Sequence, residues 1–412
     1  MDVLFDNCRI IDGAGKEIPW GFVFVRGNRI DAVGDGRDAS RPAADEVIDL
    51  GGRSLLPGII DAHVHLALNG DADPSVSFMR DHDFTVAYKS AKNAQQDLLA
   101  GVTTVRDLGS HKDIGIHLRN AVNAGIVWGP RICSSGRVVC MTGGHGWPMG
   151  REVDGEAEVR KAVREQLKAG ADVIKLMATG GVMTHGVEAG APQFTLEELR
   201  AGAEEAHKGG RKAASHVQGA AGISNALKAG VDTIEHGVFI DDETIAMFLE
   251  NNAYLIPTLA APHNILKNGV ESGIPAFVIE KTKKVAGDHY ESAAKAYRAG
   301  VTIAMGTDSG TPFNLHGANM KELELLCSIG LSTMEAITAA TATGARVLGL
   351  DEQIGSVERG KLADLIVVDG NPLEDITLLQ REERIAAVMR DGVFYKKTIG
   401  RLRAEPLKEV IF

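Results

Sequence analysis

Between residues 57 and 354 the chain repeats one local pattern: a short apolar run of strand length, then a longer stretch with apolar residues at helical spacing. The strand-like runs are the one closing on His63-Val64-His65, then 102–107, 131–136, 172–176, 212–216, 232–236, 253–257 and 301–308. Helical stretches separate them at 87–100, 114–124, 156–169, 196–209, 220–229, 241–251 and 275–299, and two more follow at 320–329 and 333–348. Four helix-to-strand joints repeat one phrase, Ala100-Gly101-Val102, Ala169-Gly170-Ala171, Ala229-Gly230-Val231 and Ala299-Gly300-Val301, in which glycine suits a helix C-cap. Strands joined through helices pair in parallel, and eight of them suggest closure on themselves. The expected fold class is therefore α/β, with a (β/α)8 TIM-type barrel over residues 57–354.

The ends of the chain have another texture. Residues 1–56 read as short strands between Gly-, Asn- and Asp-containing breaks, and similar runs return only at 363–370 and 386–392. The economical arrangement is one small discontinuous β-sandwich domain, 1–56 plus 355–412, into which the barrel is inserted. A net charge of −11, with no basic cluster interleaved with aromatics, argues against nucleic acid as a partner. No apolar run approaches the ~20 residues of a membrane span, and the first residues lack a charged segment followed by an apolar core. Cys8, Cys133, Cys140 and Cys327 form no C-x-x-C pair, so reduced thiols in a cytoplasmic protein are expected.

Ionisable residues fall where such a barrel keeps its chemistry, at the C-terminal ends of strands. His63 and His65, two apart on one strand, point the same way. Lys175 lies in the fourth strand, His216 ends the fifth, His236 the sixth and Asp308 the eighth. Taken singly, His216 and His236 suit hydrogen-bonded core positions and Asp308 suits a helix cap. Lys175 resists such a reading, because a lone ammonium inside Val173-Ile174-Lys175-Leu176-Met177 is costly to bury. Together they make an N/O donor set for zinc or a similar divalent ion.

The phrases Pro57-Gly58-Ile59-Ile60-Asp61-Ala62-His63-Val64-His65, Ile174-Lys175-Leu176-Met177, Ile234-Glu235-His236-Gly237 and Gly306-Thr307-Asp308, with His216 and the closing Gly360-Lys361-Leu362-Ala363-Asp364-Leu365-Ile366-Val367, resemble the amidohydrolase superfamily. Gly101-Val102-Thr103-Thr104-Val105-Arg106-Asp107, Thr142-Gly143-Gly144-His145 and Ala178-Thr179-Gly180-Gly181-Val182 are similar to its prolidase- and imidazolonepropionase-related branch. The resemblance implies two divalent metal ions, zinc the first candidate. His63, His65 and Asp308 would hold the buried ion, His216 and His236 the other, and an N6-carboxylated Lys175 would bridge them. It implies a hydrolase that cleaves the C–N amide bond of a dipeptide or N-acyl amino acid with a metal-bridging hydroxide. Asp308 would move the proton and His145 would donate to the oxyanion.

Substrate contacts are expected from His145, Gln218, Val182 and His185, and His316 is a further loop histidine where substrate-facing loops should lie. Similar prolidases often carry His-Ala-Tyr on strand five; this chain has His216-Val217-Gln218, which opens the specificity beyond proline dipeptides. Arg106-Asp107 reads as a structural ion pair, Gly180-Gly181 as a tight backbone approach, and 259–275 as a loop that shapes specificity. Cyclic-amide hydrolysis, hydantoinase- or imidazolonepropionase-like, and an inactive scaffold remain the alternatives. The expected partners are a small-molecule amide or dipeptide and further copies of the chain as a homo-oligomer.

Overall fold

The computed structural model describes residues 1–36 and 39–399, so residues 400–412 of the expected terminal domain lie outside the described residues. Seven parallel strands surround the candidate site: β1 (Ile59–Val64), β2 (Val102–Asp107), β3 (Arg131–Ser134), β4 (Val173–Met177), β5 (Lys212–Val217), β6 (Thr233–His236) and β7 (Tyr254–Ile256). β1, β2 and β3 form one sheet, while β4 to β7 pair in sequence in another. Backbone hydrogen bonds link these sheets on two sides. Asp172 N–H donates to Ser134 O, joining β3 to the entry of β4. At the other side, residues 302–309 run between β7 and β1, with Leu255 N–H donating to Thr302 O, Ala62 N–H to Met305 O and His65 N–H to Ser309 O.

The eighth run, expected as a strand over 301–308, is extended chain with isolated bridges at Ile303 and Ser309. It forms no regular ladder, and Asp308, between the two bridges, turns into the left-handed region, φ 61°. The third run also breaks, at Gly136 (φ 65°), beyond which Val138–Cys140 pairs with Gly150–Glu152 and Leu176. Helices follow the expected spans closely, for instance Glu156–Ala169, whose Val159, Ala162 and Val163 are buried. The stretch expected as one helix over 333–348 is two, Thr333–Ala339 and Ala342–Leu348, broken near Thr341. All four joint glycines sit at positive φ, as a turn out of a helix demands.

The chain ends pair with each other in a mixed eight-stranded sheet. Its central strand, Val3–Ile11, changes partner halfway. Val3–Asp6 pairs with Glu46–Asp49, and Arg9 and Ile10 pair with Ser54 and Leu55. Asn7, at φ 53°, makes the switch, a conformation its short polar side chain tolerates. Val3, Phe5, Ile10, Val23, Leu365, Val367 and Met389 close over one apolar core, so both ends of the chain bury the same interior.

Candidate metal centre

Strand alternation sets His63 and His65 side by side at the end of β1, ring centroids 5.4 Å apart. Their Nε2 atoms lie 3.4 and 3.1 Å from Asp308 Oδ1, and the three donor atoms are within 4.8 Å of one another, a grouping that could hold a metal ion. Each imidazole is aimed through its other nitrogen. His63 Nδ1 donates to Glu235 Oε2 at 2.8 Å and His65 Nδ1 to Gly109 O at 3.1 Å. His236 Nδ1 lies 2.7 Å from Thr258 Oγ1, which spends its own proton on Pro257 O and so accepts from the ring. In all three rings Nε2 is left as the lone-pair donor facing the cavity, the arrangement of a metal-binding histidine.

Backbone geometry carries part of the arrangement. His236, Thr258 and Asp308, at the ends of three consecutive elements, all have positive φ (71°, 52° and 61°). Such conformations cost energy in non-glycine residues and persist where surrounding bonds over-determine them. Asp61 supplies such bonds: it accepts from His63 N–H, Thr307 N–H, Thr307 Oγ1 and Asn319 Nδ2, tying the two ligand-bearing segments together.

Lys175 and His216 complete the set. Lys175 is 2% exposed, and its Nζ and His216 Nε2 are buried without a hydrogen-bond partner among the described residues. Natural proteins rarely leave such atoms orphaned, so these point to a group they are built to meet. Burial pulls the Lys175 amine down to about 8, against the opposing pull of Glu235 and Asp308. Burial likewise holds His216 and His236 well below the usual imidazole value, hence neutral and fit to ligate. Asp308 is held well below the usual carboxylate range despite burial, through its contacts with the His63 and His65 rings. His216 stacks 4.5 Å from His236 and 4.3 Å from His145. The donors and the two orphaned atoms fit divalent ions.

One cavity of about 480 Å³ is lined by His63, His65, His145, Lys175, His216, His236 and Asp308 together with Val182, His185 and Gln218. His145 is pushed down to about 4 by burial and sits 2.8 Å from Thr184 Oγ1. The tight approach expected at Gly180-Gly181 is present: a Cβ on Gly181 would lie 2.5 Å from His145 Nε2. Lys281 secures this strap by donating to the carbonyls of Thr184 and Val187. His185 is exposed at the rim, edge-on to Phe277.

Three expectations change. Arg106 does not pair with Asp107; it reaches across to Glu235 at 2.9 Å, Thr233 at 3.1 Å and Ala62 O at 2.6 Å, because β2 and β6 project their charged residues into the same interior. His316 is no cavity loop residue. It is buried behind His65, bonded to Asp97 at 2.9 Å and to the carbonyls of His65 and Leu68 at 3.2 Å. The 259–275 stretch contains the helix Ala260–Asn268, whose first amides, Leu259 and Ala260, are caught by the buried Glu322 carboxyl group. Glu235 and Arg106 were legible in part as charges inside apolar strands, like Lys175, although nothing in the sequence paired them. Asp97, Thr258 and Glu322 had no signal, since their partners are distant in the chain.

The geometry defines a class: an α/β protein whose histidines and an aspartate meet at strand ends beside a buried lysine. The amidohydrolase family model matches residues 54–394, and the chain belongs to that family. A crystal structure of a Xaa-Pro dipeptidase with methionine in its active site superposes with TM-score 0.89 at 35% identity, covering 96% of this chain and all of that one. A prolidase bound to N-methylphosphonate-L-proline gives TM-score 0.89 at 32% identity, over 96% and 100%. Ochratoxinase of Aspergillus niger is 32% identical over 372 residues, 83% of this chain and 75% of the relative. The chain is thus an amidohydrolase, a hydrolytic enzyme for small amide substrates.

Proposed function

We propose that this chain is a binuclear metal hydrolase that cleaves the amide bond of a dipeptide or N-acyl amino acid. The observation that carries this reading is the buried, unpartnered Lys175 Nζ beside the unpartnered His216 Nε2, facing the His63–His65–Asp308 group. His63, His65 and Asp308 would hold one divalent ion and His216 and His236 a second, zinc suiting the donors, and Lys175, if carboxylated, would add an anionic ligand to the pair. Carboxylation turns a costly buried cation into an anionic ligand with two oxygens. When bound, the ions polarise the substrate carbonyl and acidify water at neutral pH.

The protein's own groups do the rest. The apolar walls exclude bulk water and hold the amide against the site. The Asp308 carboxylate takes the proton of the attacking water and returns it to the leaving nitrogen as the C–N bond breaks, yielding a carboxylic acid and an amine. His145, neutral and clamped between Gly181 and Thr184, donates to the carbonyl oxygen as negative charge develops there. The same reading takes the parallel strands as a closed (β/α)8 barrel over 57–354 and the end sheet as a β-sandwich.

Amino-acid release from a panel of dipeptides and N-acyl amino acids, on zinc-loaded and chelator-treated protein, tests this. Chelator-sensitive release is expected; silence across the panel with two ions bound would overturn it.

A further inference from the structure

Gln218 lies one residue past β5, two residues beyond His216, so both side chains face the cavity. It is 6% exposed, and among the described residues its buried Oε1 has no hydrogen-bond donor. Neighbouring polar groups are engaged elsewhere. Thr179 Oγ1 accepts the Gln218 backbone N–H at 3.0 Å and donates to Gly180 O at 3.1 Å, and His145 Nδ1 is taken by Thr184. The backbone cannot easily carry the side chain away, because Gly219 packs so closely on Gly190 that a Cβ would lie 2.1 Å from Gly190 O. Bound ions account for Lys175 and His216, but they leave this carbonyl oxygen unanswered. A buried acceptor with no donor is costly, and a ligand that brings the missing N–H relieves that cost. Bulky apolar side chains make up much of the remaining wall, among them Phe78, Trp147, Met149, Met183, Ile265 and Phe277, with Asp73, Thr282, His289 and Thr311 between them.

We propose that Gln218 selects the substrate: its Oε1 accepts the N–H of a secondary amide flanked by bulky apolar groups, and it disfavours bonds to proline, whose amide nitrogen carries no hydrogen. This rests on the amide-hydrolase reading above and narrows it. Residues that position the metals treat both amide types alike, whereas an acceptor at Gln218 does not.

The test compares phenylacetyl-leucine with phenylacetyl-N-methyl-leucine and phenylacetyl-proline on zinc-loaded enzyme. The secondary amide should be cleaved with kcat/KM about tenfold or more above the other two. Gln218→Leu should bring that ratio to within about threefold of unity with bound metal unchanged, while Gln218→Glu, which keeps an acceptor, should retain it. Equal turnover of the three by wild type, or an undiminished ratio in Gln218→Leu, overturns the proposal while amide hydrolysis stands. The N–H and N-methyl phosphonamidate analogues of the leucine pair, measured by calorimetry, separate the two ideas. Tighter binding of the N–H form, lost in Gln218→Leu, supports the selection even if no amide is turned over, in which case the hydrolase reading falls. Equal binding of the two forms overturns the selection.

Discussion

Arg106→Met removes a guanidinium while keeping most of the side chain's apolar length. In the native fold Arg106 is 1% exposed and Glu235 is fully buried. Their contact of 2.9 Å is reinforced by Arg106 bonds to Thr233 Oγ1 and Ala62 O. Burial disfavours the Glu235 carboxylate, but Arg106 and the His63 contact outweigh it and hold its pKa well below the usual range. The variant therefore leaves an anion in a dry interior with only Thr233 Oγ1 and His63 Nδ1 as donors. Removing one partner of a buried pair costs about 3–5 kcal/mol, a large share of the about 5–15 kcal/mol that folds a typical domain. Urea unfolding followed by circular dichroism reads the loss, provided the slope stays that of wild type. A double-mutant cycle with Glu235→Gln isolates the pair, and a coupling energy of about 2–3 kcal/mol is expected because the groups touch. Arg106→Met within about 1 kcal/mol of wild type, or strict additivity in the cycle, would refute the reasoning that this buried pair stabilises the fold.

Asp308→Asn should fold normally, because asparagine tolerates the left-handed backbone at φ 61°, yet lose turnover by orders of magnitude, read as kcat on zinc-loaded protein. Near-wild-type turnover would remove the proton-transfer role. Lys175→Ala should lower metal content and activity together, with partial recovery on adding short carboxylic acids. Unchanged metal content by elemental analysis would dismiss the bridging role. Glu322 is raised to about 8 by burial, which outweighs the amides of Leu259 and Ala260. The folded state then holds a proton that the unfolded chain releases above about 4.5, so stability falls as pH rises from about 4.5 to 8. Glu322→Gln should flatten that decline in unfolding curves between pH 5 and 9, and an unchanged slope would exclude Glu322 as its source.

The architecture around the site was readable because it depends on local periodicity. Each helix carries its own apolar stripe and each strand its own short run, so Glu156–Ala169 or Ala220–Lys228 can be placed without knowing any neighbour. The expected elements changed where a residue leaves regular backbone or where a distant side chain caps a segment. The eighth run holds isolated bridges on either side of Asp308, at φ 61°, and the 259–275 stretch becomes helical with a cap from Glu322, more than fifty positions away.

The sequence by itself determined the donor types. His63 and His65 share a face by strand alternation, and Lys175 inside an apolar run needs a partner wherever it lies. Tertiary structure alone decided how those donors are aimed and what remains unsatisfied. Glu235 orienting His63, Thr258 orienting His236, and Asp61 tying β1 to Thr307 join residues separated by 172, 22 and 246 positions. Hydrogen bonds of that kind depend on distance and angle in space, which no residue pattern encodes. The orphaned Oε1 of Gln218 belongs with them. Its side chain is polar in the sequence, but only the packed fold shows that no donor among the described residues reaches it.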